Sequence, residues 1–196
     1  MGLYENNVSV GVLFLTIALS IASPSILAQA PEGLVSKDQA LKAVRISSIP
    51  NWREAVSAEG KFRVLFPAEP AVDDDVASVK GWKLVDSDSR WSALHTDLEV
   101  PPEVTDAQMR QAMLDRVHKT WEKGRFLSEK DVMLNGRTGS EFVITEADKL
   151  TYIRTFWLRN GLYMLSVVRT AKAGADATIP ADVQHFFDSF TYWDRE

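Results

Sequence analysis

The sequence predicts one α+β domain, an antiparallel β-sheet of about six or seven strands with helices packed on it. In the second half of the chain, strand-forming stretches alternate with two Asn-Gly pairs, the strongest short-range signal for a β-hairpin. Stretches on either side of these strands carry apolar residues at helical spacing, which is typical of helices that cover a sheet. A parallel βαβ arrangement is the main alternative, and it would contain no such hairpins.

An apolar segment near the N-terminus predicts a secretory leader. Residues 8–22 carry no charge, and Ala28 and Ala30 fit the small-residue pattern of a signal-peptidase site. The segment is short for a membrane-spanning helix, which needs roughly 20 apolar residues. The first seven residues contain an acid and no Lys or Arg, so retention as a weak membrane anchor stays open as an alternative. We expect residues 1–30 to be a signal peptide cleaved after Ala30, and the protein to be periplasmic or extracellular.

Two segments follow the leader. Residues 31–51 are expected to form an N-terminal extension with a short helix, because Ser36 and Gln39 have the spacing of a capping box. Residues 52–196 are expected to form the single α+β domain. Its first four strands are predicted from alternating apolar residues, with a tight turn at 87–89, and they span residues 52–56, 61–66, 78–86 and 90–98.

Two helices are predicted in the domain. The first spans residues 106–123, with Thr105 and Gln108 as its capping box and Gly124 as its stop. Its apolar stripe consists of Met109, Ala112, Met113, Val117, Thr120 and Trp121. The second helix begins at Pro180, and its apolar face consists of Val183, Phe186, Phe187 and Phe190.

The two predicted hairpins turn at Asn-Gly pairs, at 135–136 and at 160–161, because a type I′ turn needs positive φ at both positions. Their strands span residues 126–134, 137–145, 150–159 and 162–170. In the second hairpin this places Arg159 opposite Leu162. One sheet face then carries Tyr152, Arg154, Phe156, Leu158, Tyr163, Leu165, Val167 and Arg169. The other face carries Ile153, Thr155, Trp157, Arg159, Leu162, Met164, Ser166 and Val168.

Both faces of this hairpin are apolar near the middle, so neither can be left in water without a large exposed patch. Helices on both sides of the sheet solve this within the monomer. Otherwise the face that carries Trp157 is completed by a partner or by a second copy of the chain. The sequence therefore gives one candidate interface, formed by Trp157, Ile153, Leu162 and Met164.

Composition and motifs argue against several classes of function. The net charge is −5 and no basic block is present, so nucleic-acid binding is not expected. Cysteine is absent, which excludes disulfides and zinc–thiolate sites. No glycine-rich phosphate-binding motif is present. We expect no cofactor and no bound metal.

The residues that commonly carry catalysis form no recognisable motif. The spacings of His95, His118 and His185 fit no metal motif, and ordinary surface or boundary positions are expected for them. The acidic run 73–75 could bind Ca²⁺, but a solvated loop is the favoured interpretation. No G-x-S-x-G motif is present. Of the six tryptophans, most are expected in core or boundary packing and one or two partly exposed.

Three motifs in this order carry a resemblance to a known family. They are the segments GKFRVLFPAEP at 60–70, LNGRTGSEF at 134–142 and FFDSF at 186–190. Together the chain from 52 to 192 resembles the PsbP-like group of small exported proteins, which includes DcrB-like periplasmic proteins. The resemblance implies an α/β/α sandwich and a non-enzymatic role at a membrane complex or the cell envelope, and it supplies no site residues.

The function predicted from the sequence is that of a non-catalytic exported accessory protein. It would bind another protein or a membrane-associated envelope complex. The alternative is a small-ligand carrier or a hydrolase whose site is assembled from separated loops.

Overall fold

The computed structural model describes residues 52–73, 79–98, 100–101, 103–158, 161–171 and 174–193. The predicted leader, the extension at 31–51 and two of the three acids at 73–75 lie outside these ranges. The strands are β1 (Arg53–Ser57), β2 (Phe62–Phe66), β3 (Ala71–Val72), β4 (Val79–Val85), β5 (Ser89–Asp97), β6 (Arg125–Leu134), β7 (Arg137–Glu146), β8 (Lys149–Leu158), β9 (Gly161–Thr170) and β10 (Thr191–Tyr192). The helices are α1 (Asp106–Thr120) and α2 (Ala181–Asp188).

The strands form two antiparallel sheets, which confirms the predicted α+β class. The larger sheet has seven strands in the order β3-β4-β5-β9-β8-β7-β6, and the smaller has the order β1-β2-β10. Helix α1 packs on one face of the larger sheet, while the smaller sheet and α2 pack on the other. The sequence did not predict that β1 and β2 leave the main sheet, nor the short strands β3 and β10.

The main core lies between the two sheets and is built from aromatic side chains. Phe62 of β2, Trp91 of β5 and Phe156 of β8 are each at most 2% exposed. Phe190, which follows α2, stacks on Phe156 with ring centroids 5.9 Å apart. Because one cluster contains residues of both sheets and of α2, these elements depend on one another for burial.

A smaller core cluster lies on the opposite face of the sheet, beneath α1. It consists of Val117 on the helix with Phe142, Ile144 and Ile153 on the strands. The chain therefore covers both faces of the β8–β9 hairpin at this level, with α1 on one side and the smaller sheet on the other. None of the helices in the described ranges is long and apolar enough to cross a membrane.

The first predicted hairpin turn is confirmed. Asn135 and Gly136 have φ values of 49° and 77°, and Leu134 pairs with Arg137 across the turn. Both central residues therefore adopt the positive φ that a type I′ turn requires.

The second predicted turn is wrong in register. Gly161 is the first residue of β9 and pairs with Leu158, so positions 160 and 161 are not the two-residue turn. The glycine serves packing there: a Cβ on Gly161 would lie 2.4 Å from the carbonyl oxygen of Thr96. Phe156 rather than Leu158 lies opposite Tyr163. The shift moves each pairing by two positions, so the two predicted face compositions are preserved.

The start of α1 is confirmed and its predicted end is not. The hydroxyl of Thr105 accepts a hydrogen bond from the backbone N–H of Gln108, and the Gln108 side chain accepts one from the Thr105 N–H. The helix ends at Thr120, three residues before the predicted end. Gly124 instead permits close packing, since a Cβ there would lie 2.8 Å from Cγ2 of Ile144.

Candidate binding site

A cavity of about 110 Å³ lies between α1 and the sheet, beside the smaller core cluster. Its walls come from three neighbouring strands, β5, β9 and β8, from α1 and from the residues that follow β5 and α1. The lining residues are Leu94, Thr96, Leu98, Met109, Met113, Arg116, Val117, Thr120, Trp121, Thr155, Trp157, Leu162 and Met164.

The position of the cavity follows from the contacts that hold α1 on the larger sheet. On the side of edge strand β6, Arg110 forms an ion pair with Asp131, and His118 Nε2 lies 2.9 Å from Glu129 Oε2. Val117 packs into the smaller core cluster in the middle of the sheet. Strands β6 and β7 contribute no described residue to the cavity lining, which lies towards β9 and β5. Helix α1 is therefore anchored on the side of β6, and the cavity lies on the side of β9 and β5.

Three of the four residues of the predicted interface line this cavity. Trp157, Leu162 and Met164 are half-buried, and Trp157 pairs with Leu162 across the β8–β9 ladder. Ile153 is 0% exposed and lies in the smaller core cluster with Phe142. The structure therefore removes Ile153 from the candidate interface, because α1 and its neighbours already cover it. A role in binding stays a prediction for the other three.

The helix side of the cavity was visible in the sequence only as an apolar stripe. Met109, Met113 and Trp121 belong to that stripe, but periodicity alone marks such residues as core rather than as the wall of a site. Arg116 was not singled out, since a charged residue beside an apolar stripe is ordinary on a surface helix. The juxtaposition of these residues with β9 depends on tertiary packing.

The described lining of the cavity is mostly apolar, with one cation and three hydroxyl-bearing residues, Thr96, Thr120 and Thr155. Among the described residues that line the cavity, Arg116 alone carries a charge, and none is an acid or a histidine. The Thr120 hydroxyl donates to the carbonyl of Arg116, and the Thr155 hydroxyl donates to the carbonyl of Ser140. General acid–base catalysis needs a titratable group within reach of the substrate, and Arg116 is the one ionisable side chain among the described lining residues.

The three histidines lie far apart in the fold and have separate surroundings. His95 is 2% exposed and packs against the ring of Tyr163, so the expectation of a surface or boundary position is wrong for it. His118 and His185 are exposed; the first stacks on Phe126 and the second meets the edge of Trp52. In the part of the chain that the structure describes, no three His, Asp or Glu side chains are grouped as a metal site.

Asp73, the one described residue of the acidic run, is buried beside two cations. Its carboxylate lies 3.2 Å from Lys83 Nζ and 3.9 Å from Arg90 Nη2. It is 8% exposed, so the expected solvated position is wrong for this member of the run.

The six tryptophans range from fully buried to exposed. Only Trp91 is fully buried, at 2%. Trp193 is 41% exposed, and the other four, Trp52, Trp82, Trp121 and Trp157, are half-buried. Most of the six therefore lie in core or boundary packing, as predicted, and Trp193 is exposed.

A buried ionic network lies on the opposite face of the sheet from the cavity. Arg154 Nε and Nη2 both donate to Oε2 of Glu141, at 2.9 and 2.6 Å, and Glu141 is 1% exposed. Lys130 Nζ lies 2.8 Å from the other oxygen of Glu141. Arg154 also donates to Asp188 and lies over the ring of Phe187. All these charged groups are paired within the chain, so the network ties β6, β7 and β8 to α2.

The environment of Asp188 in this network displaces the pKa of its carboxyl group. Burial acts to raise the pKa of Asp188. Hydrogen bonds from Gln184 and Arg154, together with the positive charge of Arg154, outweigh burial and hold the pKa below its ordinary value of 3.8.

Comparison with known proteins finds solved structures of low sequence identity. No protein-family model matches the chain, and no curated protein matches it. Ran-binding protein Mog1p from Saccharomyces cerevisiae is similar with a TM-score of 0.48 at 12% identity, covering 72% of this chain and 95% of that one. Protein PA94 of Pseudomonas aeruginosa, of unknown function, gives a TM-score of 0.39 at 12% identity, covering 70% and 89%.

A third solved structure bears on the fold. It is cyanobacterial PsbP (CyanoP) from Synechocystis sp. PCC 6803, with a TM-score of 0.53 at 11% identity over 76% of this chain and 96% of that one. Likeness to DcrB-like proteins and export from the cytoplasm stay predictions. With two helices packed on antiparallel sheets of seven and three strands, the chain has the PsbP-like α+β fold.

Proposed function

We propose that this protein is a non-catalytic, exported accessory protein that binds another protein of the cell envelope. The cavity under α1 would accept an apolar side chain of that partner. The observation that carries the proposal is the lining of the cavity: apolar walls, two half-buried tryptophans, and no acid or histidine among its described residues. Tryptophan is enriched among the residues that dominate binding energy at protein interfaces.

The size of the cavity favours a side chain over a large ligand. An engineered apolar cavity of about 150 Å³ in another protein holds one benzene molecule, and the cavity here is about 110 Å³. A single Leu, Ile or Phe side chain is of this size. Burying such a side chain contributes roughly 1.5–3 kcal/mol, which is a useful fraction of a binding free energy.

A small-ligand carrier is the second candidate, and the same cavity favours it. A compact apolar molecule would make the same contacts with Trp157 and Met164 as a side chain does. The two candidates differ in what the protein retains from an envelope extract, since a carrier needs no protein partner.

The test is capture of envelope proteins by the immobilised mature chain, compared between two tryptophan variants. Trp157→Ala removes a wall of the cavity, whereas Trp82→Ala removes a half-buried tryptophan that packs on the main core and does not line the cavity. We expect Trp157→Ala to lose a partner that the wild type and Trp82→Ala both retain. Leu162→Trp, which fills the cavity, should lose the same partner.

Folding of the variants is checked by urea denaturation. Because Trp157 is half-buried beside an existing cavity, its truncation should cost less than the roughly 3–5 kcal/mol typical of a fully buried tryptophan. A partner that all three variants retain would contradict the proposed site. Absence of any partner, together with binding of small apolar molecules, would favour the carrier instead.

A further inference from the structure

Arg116 is the one charged side chain among the described residues that line the cavity. Within the described ranges its guanidinium forms no hydrogen bond and no ion pair, and no described acid lines the cavity. Two other basic side chains of α1 differ in this respect. Arg110 pairs with Asp131 and His118 with Glu129.

This arrangement favours an anion as part of the ligand. Arg116 is half-buried, so part of its charge is shielded from water by the cavity walls. An ion pair is stronger where solvent is displaced, and the planar guanidinium can donate two parallel hydrogen bonds to one carboxylate. A ligand that fills the cavity would displace further water from the same cation.

The cavity limits the apolar part of the ligand to one compact group. Its volume of about 110 Å³ suits a single branched or aromatic side chain and is too small for a long acyl chain. The required ligand therefore has a compact apolar group and a carboxylate close together. In a polypeptide, this combination occurs at a C-terminal residue with a large apolar side chain, where Cα joins the side chain to the carboxylate.

We propose that the cavity and Arg116 together bind the C-terminal residue of the partner protein, with its apolar side chain in the cavity and its carboxylate on Arg116. This proposal rests on the proposed function and specifies the part of the partner that is recognised. Trp157 and Trp121 line the same cavity, so occupation should change the intrinsic fluorescence of the protein.

The test is a fluorescence titration of the mature chain with two acetylated tripeptides of sequence Gly-Gly-Leu. One has a free C-terminal carboxylate and the other a C-terminal amide. We expect the carboxylate form to bind about 10-fold more tightly or better, because charge-assisted hydrogen bonds to Arg116 are lost in the amide. The peptide Gly-Gly-Ser, which keeps the carboxylate without the apolar side chain, should not bind measurably.

Two arginine variants distinguish a direct contact between Arg116 and the carboxylate from a general effect of the protein's positive charges. Arg116→Met should abolish the preference for the carboxylate, and it should fold normally because the guanidinium has no partner to lose within the described chain. Arg137→Met removes an exposed arginine at the β6–β7 turn, outside the cavity, and should leave the preference unchanged. Equal binding of the two Leu peptides to the wild type would overturn the proposal.

Competition with the captured partner distinguishes this proposal from the proposed function. The free-carboxylate Leu peptide should release the envelope partner from the immobilised chain, and the amide should not. A partner that depends on Trp157 but is not released by the peptide would overturn recognition of a C-terminus and leave the proposed function standing. Failure to capture any partner that depends on Trp157 would contradict both.

Discussion

Replacing Arg154 with Met should destabilise the protein by about 3–5 kcal/mol, the usual cost of removing one partner of a buried ion pair. The change deletes both hydrogen bonds to Oε2 of Glu141, while that carboxylate stays 1% exposed. Lys130 remains beside the other oxygen, but Oε2 is left without a donor. Burying the unpaired charge of Glu141 costs more free energy than the Glu141–Arg154 pair contributes to stability. The loss of stability is therefore large.

The double variant Glu141→Met with Arg154→Met should recover most of this loss. Neither buried charge then remains, and the two outer partners, Lys130 and Asp188, have side chains 57% and 58% exposed and can turn to water. The cost of the double change should therefore lie well below the sum of the two single changes.

Urea denaturation followed by fluorescence measures all four proteins. With a slope of about 2 kcal/mol/M, a loss of 3–5 kcal/mol lowers the midpoint by about 1.5–2.5 M. The slope of unfolding free energy against urea concentration should not change, because unfolding exposes about the same surface area in each protein. Additive costs of the two single changes, or a cost for Arg154→Met below about 1 kcal/mol, would refute the argument from unpaired charge.

Two further predictions concern acid stability and processing. The pKa of Asp188 is lower in the folded chain than its ordinary 3.8, so its carboxylate stabilises the fold above that value and loses this effect as pH falls through the folded pKa. The gap in urea midpoint between wild type and Asp188→Asn should accordingly be widest near pH 6 and should narrow as the pH falls below 3.8; a constant gap would contradict the assigned cause. Expression of the full chain in an exporting host should yield a mature protein beginning at Pro31, which intact mass measures, and a different N-terminus would reject cleavage after Ala30.

Local signals predicted most elements of this fold because each depends on neighbouring residues. The capping box at Thr105 and the turn at Asn135 are contacts between residues three or fewer apart, and both have the expected geometry. The faces of β8 and β9 were predictable for a related reason, since strand periodicity fixes them even when the turn is displaced by one residue.

The remaining features depend on residues far apart in the chain. The smaller sheet joins Arg63 to Thr191, and no local pattern in the sequence marks that pairing. The charged pair Glu141 and Arg154 was not predicted to be buried, because charges in a strand normally face water. For the site, the sequence pointed to Trp157 and its neighbours on β9, whereas the contribution of α1 required the tertiary fold.

The pairing of β10 with β2 has a consequence for when the chain can fold. The side chain of Arg63 donates to the hydroxyl of Thr191, and these residues are 128 positions apart. Phe190, which packs against Phe62 and Phe156 in the main core, directly precedes Thr191 in the sequence. A growing chain therefore cannot complete this core until residues 190 and 191 have been synthesised, and contacts between such distant residues are slow to form. For a protein that we propose to be exported, this delay keeps the domain unfolded and competent for translocation until those residues have been made.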